Sequence, residues 1–218
     1  MTWYKEFGFK YNPVCIKPIE EFDLFFDDKS LVDDIIMHIN EEEENLVLIG
    51  PLGTGKTSIL KKIIQEFGGK RKIYYYNAFS ASTPLNFEKV LKKAGNLVSR
   101  TLRRKSKDVI LFIDEAHHLS PENLEDLEDY LGNYFKSVIL ASSKQDYEVP
   151  EDLKEEFKHR INLGNFTEKD AHNIIKDRLG EDYEDIIKNK EIKNIYEKSK
   201  TPREFLLNVE EHCKQKYE

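Results

Sequence analysis

The sequence predicts an α/β fold: a parallel sheet of five strands with helices on both faces, followed by a small all-α C-terminal part. Two continuous apolar runs, LVLI at 46–49 and VILFI at 109–113, are typical of strands that are buried on both faces. Segments with apolar residues at helical spacing separate the apolar runs along the chain. Strands that alternate with helices in this way form parallel sheets.

The first 45 residues form a preamble before the first buried strand. An aromatic, turn-prone stretch at its start is followed by Ser30, which we expect to cap a helix. The apolar face of that helix consists of Leu31, Ile35, Ile36 and Ile39. We expect the preamble, residues 1–45, to pack on the core.

A glycine-rich loop follows the first strand and has the spacing of a phosphate-binding site that opens a helix. Glycines let successive backbone N–H groups converge on phosphate oxygens, a lysine can reach the β- and γ-phosphates, and a threonine hydroxyl is a hard ligand for Mg²⁺. A plain glycine-rich turn is the alternative, but the helical spacing that continues from Ile59 disfavours it. The predicted nucleoside triphosphate site contains Gly50, Pro51, Leu52, Gly53, Thr54, Gly55, Lys56, Thr57 and Ser58.

A predicted helix lies between the second and third strands in the sequence. Residues 72–76 indicate a strand, and Ser82-Thr83-Pro84 indicates the start of a helix that runs to about Arg104. The third strand, at 108–115, ends in Asp114 and Glu115. Because ligands bind at the carboxyl ends of parallel strands, Asp114 is expected to hold Mg²⁺ and Glu115 to polarise a water molecule. An exposed pair of acids at a strand end is the alternative.

Ser120-Pro121 begins a further helix, and residues 137–143 form the fourth predicted strand. A polar residue at the end of that strand can bond the γ-phosphate or the attacking water. We choose Ser143 for this role, with Ser142 as the second choice, and a serine that merely begins a turn is the alternative. From Thr167 onward the pattern is helical, with capping signals at Thr167 and at Thr201.

Composition limits the classes of function. The 34 Lys and Arg residues against 41 Asp and Glu residues give a net charge of −7, which argues against a surface that binds nucleic acid throughout. One local basic stretch remains: Arg100, Arg103, Arg104, Lys105 and Lys107. Contact with DNA phosphates and a solvated helix end are its two interpretations. No apolar run reaches membrane-spanning length and no signal segment is recognisable, so we expect a cytoplasmic protein without membrane contact.

The motifs together resemble those of the AAA+ ATPases, in particular the branch that includes archaeal origin-recognition initiators and the ExeA, TniB and MuB types of ATPase. GPLGTGKT resembles the Walker A motif of P-loop NTPases, VILFIDEAHHL the Walker B motif and ILASS the sensor 1 strand. The resemblance covers nearly the whole chain. It implies ATP and Mg²⁺ as cofactors, a nucleotide-binding core at 46–164 and a helical lid at 165–218.

The resemblance also assigns roles to two arginines. FKHRINLGNF is similar to the segment that carries an arginine finger, which places Arg160 in trans at a neighbour's γ-phosphate in an oligomer; a surface salt bridge is the alternative. Thr201-Pro202-Arg203 resembles the sensor 2 motif, whose arginine reaches the γ-phosphate from the lid. In the first turn of a helix Arg203 opposes the helix dipole, which a bound anion or the adjacent Glu204 would compensate.

Several functions are compatible with these motifs. The letters DEAH at 114–117 also occur in a helicase family, but 218 residues leave too little chain for the second motor domain of such enzymes. We expect an ATPase that loads or remodels a macromolecular partner, with DNA or a DNA-bound protein as the candidate, in DNA replication or transposition. A slow ATP-dependent switch that recruits a protein partner is the second hypothesis, and a small-molecule phosphotransferase is the third.

Overall fold

The computed structural model describes residues 2–16, 29–42, 44–81, 83–94 and 106–218. These residues form two compact units. The sheet unit contains residues 30–51 and 59–163. The helical unit contains residues 52–58, residues 164–218 and the described residues up to 29.

The sheet has five parallel strands in the order β2-β3-β4-β1-β5. The strands are β1 (Leu46–Ile49), β2 (Lys72–Asn77), β3 (Val109–Asp114), β4 (Phe135–Ser142) and β5 (His159–Asn162). Because β1 pairs with β4 on one side and β5 on the other, it is a central strand. All five strands point the same way, so their last residues meet at one edge, here called the carboxyl edge, and their first residues at the amino edge.

Both faces of the sheet are covered, as the continuous apolar runs predict. All four residues of β1 and all six of β3 are buried. Val47, Leu111 and Leu140 belong to one hydrophobic cluster, while Leu48 and Phe112, which point to the opposite face, are also fully buried. The predicted fold class, a five-stranded parallel sheet with helices, is confirmed.

The helices of the described residues are mostly where their apolar spacing places them. The first four in chain order are α1 (Trp3–Glu6), α2 (Lys29–Met37), α3 (Lys56–Phe67) and α4 (Phe87–Ala94). The others are α5 (Pro121–Glu128), α6 (Glu168–Leu179), α7 (Asn189–Tyr196) and α8 (Pro202–Tyr217). Ser30, expected to cap α2, lies inside that helix, and a π-helical segment, His38–Glu42, continues from its end.

The helix that follows β2 begins later than predicted. Ser82 lies outside the described residues, and Thr83 and Pro84 precede α4 without being helical. The side chain of Asn86 accepts a hydrogen bond from the backbone N–H of Lys89 at 2.9 Å, which is the arrangement of a helix N-cap. The rest of this predicted helix, with Arg100, Arg103, Arg104 and Lys105, lies outside the described residues.

The helical unit has its own core. Thr167 and Asp170 form the predicted capping box at the start of α6, and Thr201 caps α8 by accepting a hydrogen bond from the N–H of Glu204. Trp3 and Val14 are fully buried in the same cluster as residues of α6, α7 and α8. Residues 2–16 of the predicted preamble therefore pack with these helices, because Trp3 buries its large apolar surface among them.

The observed cap of α4 leads to a test by mutation. We expect Asn86→Ala to lower the free energy of unfolding by about 1 kcal/mol, because the N–H of Lys89 loses its acceptor. Thr83→Ala, at an exposed position just outside the helix, is the matched control, with an expected change below about 0.5 kcal/mol. Denaturant unfolding of both variants measures the difference. A larger loss of unfolding free energy in Thr83→Ala than in Asn86→Ala would support the helix start predicted from the sequence.

Candidate active site

The glycine-rich loop has the backbone that phosphate binding requires. Gly53 and Gly55 have φ angles of 86° and 98°, a region that residues with side chains rarely adopt. Thr54 and Lys56 are each only 4% exposed, and Lys56 is the first residue of α3. The N-terminus of α3 thus directs its N–H groups and its positive dipole end toward the loop.

Arg203 lies next to this loop within the helical unit. A Cβ atom added to Gly53 would lie 2.9 Å from the Cβ of Arg203 and 3.2 Å from the hydroxyl oxygen of Thr201. The first turn of α8 therefore approaches the loop backbone as closely as a glycine allows. The structure brings together the loop and the arginine that the sequence assigned to nucleotide binding.

Asp114 ends β3 as a fully buried carboxylate. Its Oδ2 accepts hydrogen bonds from the Tyr75 hydroxyl at 2.8 Å and from the Asn77 amide at 3.3 Å, and its Oδ1 accepts one from the backbone N–H of Glu115 at 3.1 Å. Burial, followed by the charge of Asp114, raises the pKa of the Tyr75 hydroxyl well above its ordinary value. Tyr75 therefore stays protonated and remains a hydrogen-bond donor to the carboxylate.

Sequence reasoning missed Tyr75 and Asn77. They are alternate residues of β2, so they point to the same face, and Asn77 pairs directly with Asp114 in the neighbouring strand. The alternation was visible in the sequence, but the pairing of β2 with β3, which brings these donors to Asp114, was not.

Glu115 has an unusual backbone and an oriented carboxylate. It is one of the two residues other than glycine with positive φ among the described residues, with φ 54° and ψ 44°. The Ser143 hydroxyl donates a hydrogen bond to its Oε2 at 2.6 Å, and Nδ1 of His117 lies 3.5 Å from the same oxygen. The structure thus brings together Glu115 and Ser143, and it adds His117.

Ser142 has a different environment from Ser143. It is fully buried at the end of β4, where its hydroxyl lies 3.3 Å from Nδ1 of His117 and accepts a hydrogen bond from the backbone N–H of Lys144. Ser143 is only partly buried and contacts Glu115. The contact with an acid of the predicted site favours Ser143, the first choice from the sequence.

Arg160 is an exposed residue of β5, which forms one edge of the sheet. One of its guanidinium N–H groups donates to the backbone carbonyl of Tyr147. Burial raises the pKa of the Tyr147 hydroxyl to about 12, although the charge of Arg160 acts in the opposite direction. Because a guanidinium has five N–H donors, the bond to Tyr147 leaves others for a further acceptor.

A sequence model of the AAA family, the ATPase family associated with various cellular activities, matches residues 46–165, more than half of the chain. The chain belongs to the AAA family of ATPases. The match covers the phosphate loop, the five strands of the described sheet, and Asp114 and Glu115 at the end of β3. The P-loop NTPase fold expected from the motifs is therefore the fold of this AAA protein.

Curated relatives of this AAA protein include subunits of the Holliday junction branch migration complex. RuvB of Chlorobaculum tepidum, described as a subunit of the Holliday junction branch migration complex, is 35% identical over 124 residues, which are 54% of this chain and 32% of the relative. RuvB of Ligilactobacillus salivarius is 33% identical over 141 residues, 62% of this chain and 38% of the relative. The chain spans about a third of the length of these relatives.

Solved structures share the fold. A variant of Thermotoga maritima RuvB has a TM-score of 0.62 at 19% identity, over 91% of this chain and 64% of that chain. The Aeropyrum pernix ORC1 protein, solved in complex with DNA, has a TM-score of 0.61 at 16% identity, over 90% and 62% of the two chains. The motifs suggested origin-recognition proteins as relatives; RuvB was not among those named.

No helix among the described residues is both long enough and apolar enough to span a membrane.

The close approach of α8 to the loop predicts a specific effect of Gly53→Ala. We expect it to weaken ATP binding at least about tenfold and to destabilise the protein by about 2–4 kcal/mol, since positive φ and the clash with Arg203 add together. Gly69→Ala is the matched control, because Gly69 has φ 75° with no atom within 4 Å of an added Cβ. Calorimetry and denaturant unfolding measure both effects, and equal losses in the two variants would contradict the role of the contact.

Proposed function

We propose that this chain is a Mg²⁺-dependent AAA+ ATPase that uses ATP hydrolysis to load or remodel a DNA-bound partner, in DNA replication or transposition. The hydrogen bond from Ser143 to Glu115 supports this proposal most directly. A carboxylate oriented by a hydroxyl, one residue after a buried acid, is suited to activate water. A protein that only binds nucleotide does not need such an arrangement.

The loop residues bind the phosphates, and Thr57 of the loop and Asp114 at the strand end bind Mg²⁺ in the proposal. In the proposal the backbone N–H groups of residues 50–58, other than Pro51, hold the phosphates, and the ammonium group of Lys56 neutralises the β- and γ-phosphates. We assign Mg²⁺ to the Thr57 hydroxyl and the Asp114 carboxylate. These are hard oxygen donors of the kind that Mg²⁺ prefers, and the hydrogen bonds of Tyr75 and Asn77 to Asp114 fix the carboxylate in one orientation.

Glu115 acts as the general base in the proposed reaction. Bound ATP with its metal ion supplies the phosphoanhydride bond and most of the charge neutralisation. The Glu115 carboxylate accepts a proton from the attacking water, while the Ser143 hydroxyl holds the carboxylate through Oε2. The left-handed backbone of Glu115 fits this role, because strained conformations of about 1–3 kcal/mol cluster at functional sites.

Two arginines complete the proposal. Arg203, adjacent to Gly53, acts as the sensor 2 residue and contacts the γ-phosphate from the helical unit. Arg160, exposed on the edge strand β5, acts as an arginine finger toward the γ-phosphate held by a neighbouring subunit. The proposed enzyme is therefore an oligomer.

DNA or a DNA-bound protein is the proposed partner. RuvB carries Holliday junction branch migration in its name, and the ORC1 protein was solved with DNA, so two relatives of this fold are associated with DNA. The net charge of −7 favours a limited contact area or a protein partner over a broad DNA-binding surface. A slow switch that recruits a protein partner remains the second function, because the placement of Arg203 beside the loop suits both roles.

Variants of the assigned residues test hydrolysis. We expect Glu115→Gln to lower kcat by about 10²–10⁴-fold while ATP affinity stays within a few-fold, since the base is lost and the binding loop is intact. Lys56→Ala is expected to lose ATP binding, which calorimetry measures alongside phosphate release. Stimulation of the wild-type rate by duplex DNA supports the loader, whereas a slow rate that is indifferent to DNA supports the switch. Wild-type turnover by Glu115→Gln would refute the assignment.

Mixing two inactive variants tests action in trans. We expect Arg160→Ala to lower kcat by about 10³-fold or more. Mixing it with Lys56→Ala should restore part of the activity, because Lys56→Ala subunits keep the finger and Arg160→Ala subunits keep the binding loop. Arg71→Ala, which removes another exposed arginine of the sheet unit, is the control and should keep full activity alone. Absence of any recovery on mixing would count against Arg160 as a finger.

A further inference from the structure

A second group of side chains that can bind a metal lies in the sheet unit, at the opposite edge of the sheet from Asp114. His38, Glu44 and His159 each present one ligand atom, and these three atoms lie within 4.8 Å of one another. Glu44 Oε2 is 3.0 Å from Nδ1 of His38 and 3.8 Å from Nδ1 of His159. The centroids of the two imidazole rings are 4.0 Å apart, and the ring planes are inclined to each other by 43°. We propose that this group is a binding site for Zn²⁺.

The backbone explains how the three residues meet. The π-helical segment His38–Glu42 follows α2, and the N–H of Glu44 bonds back to the carbonyl of His38 at 3.4 Å, which returns Glu44 to the His38 ring. Leu46 pairs with His159 across β1 and β5, and Glu44 lies two residues before Leu46, on the same side. π-Helical turns are rare in proteins, and those that occur are often at functional sites.

The spacing of the ligand atoms suits zinc. Bonds of about 2.0–2.2 Å to nitrogen and oxygen in a tetrahedral arrangement separate neighbouring ligand atoms by about 3.4 Å. The two measured separations from Glu44 Oε2, 3.0 and 3.8 Å, lie on either side of that value. Two imidazoles and one carboxylate are a ligand set of zinc proteins, with a fourth position for water, whereas Mg²⁺ prefers oxygen alone.

The environment of Glu44 Oε2 argues against a simple ion pair. This oxygen is shielded from solvent and accepts no hydrogen bond from the described residues, although His38 is 3.0 Å away. A buried carboxylate oxygen that accepts no hydrogen bond is costly. A cation bound between the oxygen and the two ring nitrogens would satisfy it.

The site is separate from the proposed Mg²⁺ ligands. His159 and Leu46 are the first residues of β5 and β1, so the group lies at the amino edge of the sheet. Asp114 lies at the carboxyl edge, as the last residue of β3. In the proposal, Zn²⁺ ties the segment before β1 to the edge strand β5, and it takes no part in hydrolysis.

Zinc titration of the nucleotide-free full chain tests the proposal. Excess Mg²⁺ is present to occupy the strand-end acids, and calorimetry and the melting temperature are measured. We expect one Zn²⁺ per chain and a higher melting temperature in its presence. His159→Gln should bind Zn²⁺ at least about tenfold more weakly and lose the thermal shift. His172→Gln, in α6 of the helical unit, is the matched control and should behave as wild type.

A second variant distinguishes loss of zinc binding from loss of the fold. Glu44→Gln keeps the shape of a side chain that is 41% exposed and removes its charge, so the fold, checked by circular dichroism, should persist while zinc affinity falls. Absence of saturable zinc binding in the wild type would overturn the proposal. So would unchanged binding in both His159→Gln and Glu44→Gln, which would place the ion elsewhere.

Discussion

The buried carboxylate of Asp114 is the constraint on which the rest of the sheet unit depends. Removing an ion from water costs on the order of several kcal/mol unless hydrogen bonds replace the lost hydration. Tyr75, Asn77 and the N–H of Glu115 supply three such bonds. Each bond to a charged group contributes about 1.5–3 kcal/mol, so the carboxylate is held in one orientation as well as tolerated. A slip of one residue between β2 and β3 would turn both side-chain donors to the opposite face.

The same constraint shapes the next residue. After Asp114 the chain leaves the sheet in a left-handed turn at Glu115 and enters the short 3₁₀ helix Ala116–His118. This turn brings the Glu115 carboxylate to Ser143, which follows the neighbouring strand β4. Two acids that are adjacent in sequence therefore have different environments: one is fully buried and bonded from β2, and the other is partly exposed and bonded from the end of β4. That difference is what separates a metal ligand from a general base in our proposal.

The sequence predicted the parts of the structure that local chemistry determines. Continuous apolar runs identified the buried strands, the glycine spacing identified the loop, and Thr167 and Thr201 identified two helix starts. Asn86 was missed because Thr83-Pro84 gave a competing cap signal three residues earlier. Tyr75 and the group around Glu44 were missed for a different reason: their contacts depend on strand order and register, which periodicity within one segment does not contain.

Strand β5 carries residues of both the proposed zinc site and the proposed arginine finger. His159 and Arg160 are consecutive, so their side chains leave the strand on opposite faces. His159 and Ile161 are partly buried, while Arg160 and Asn162 are exposed, which agrees with that alternation. An edge strand has a neighbour on one side only, and β5 pairs with β1 through four residues. A cation held by His159 and Glu44 would add a second attachment for this strand on one face. The strand that carries Arg160 would then be less mobile, and Arg160 would be held in place toward a neighbouring subunit.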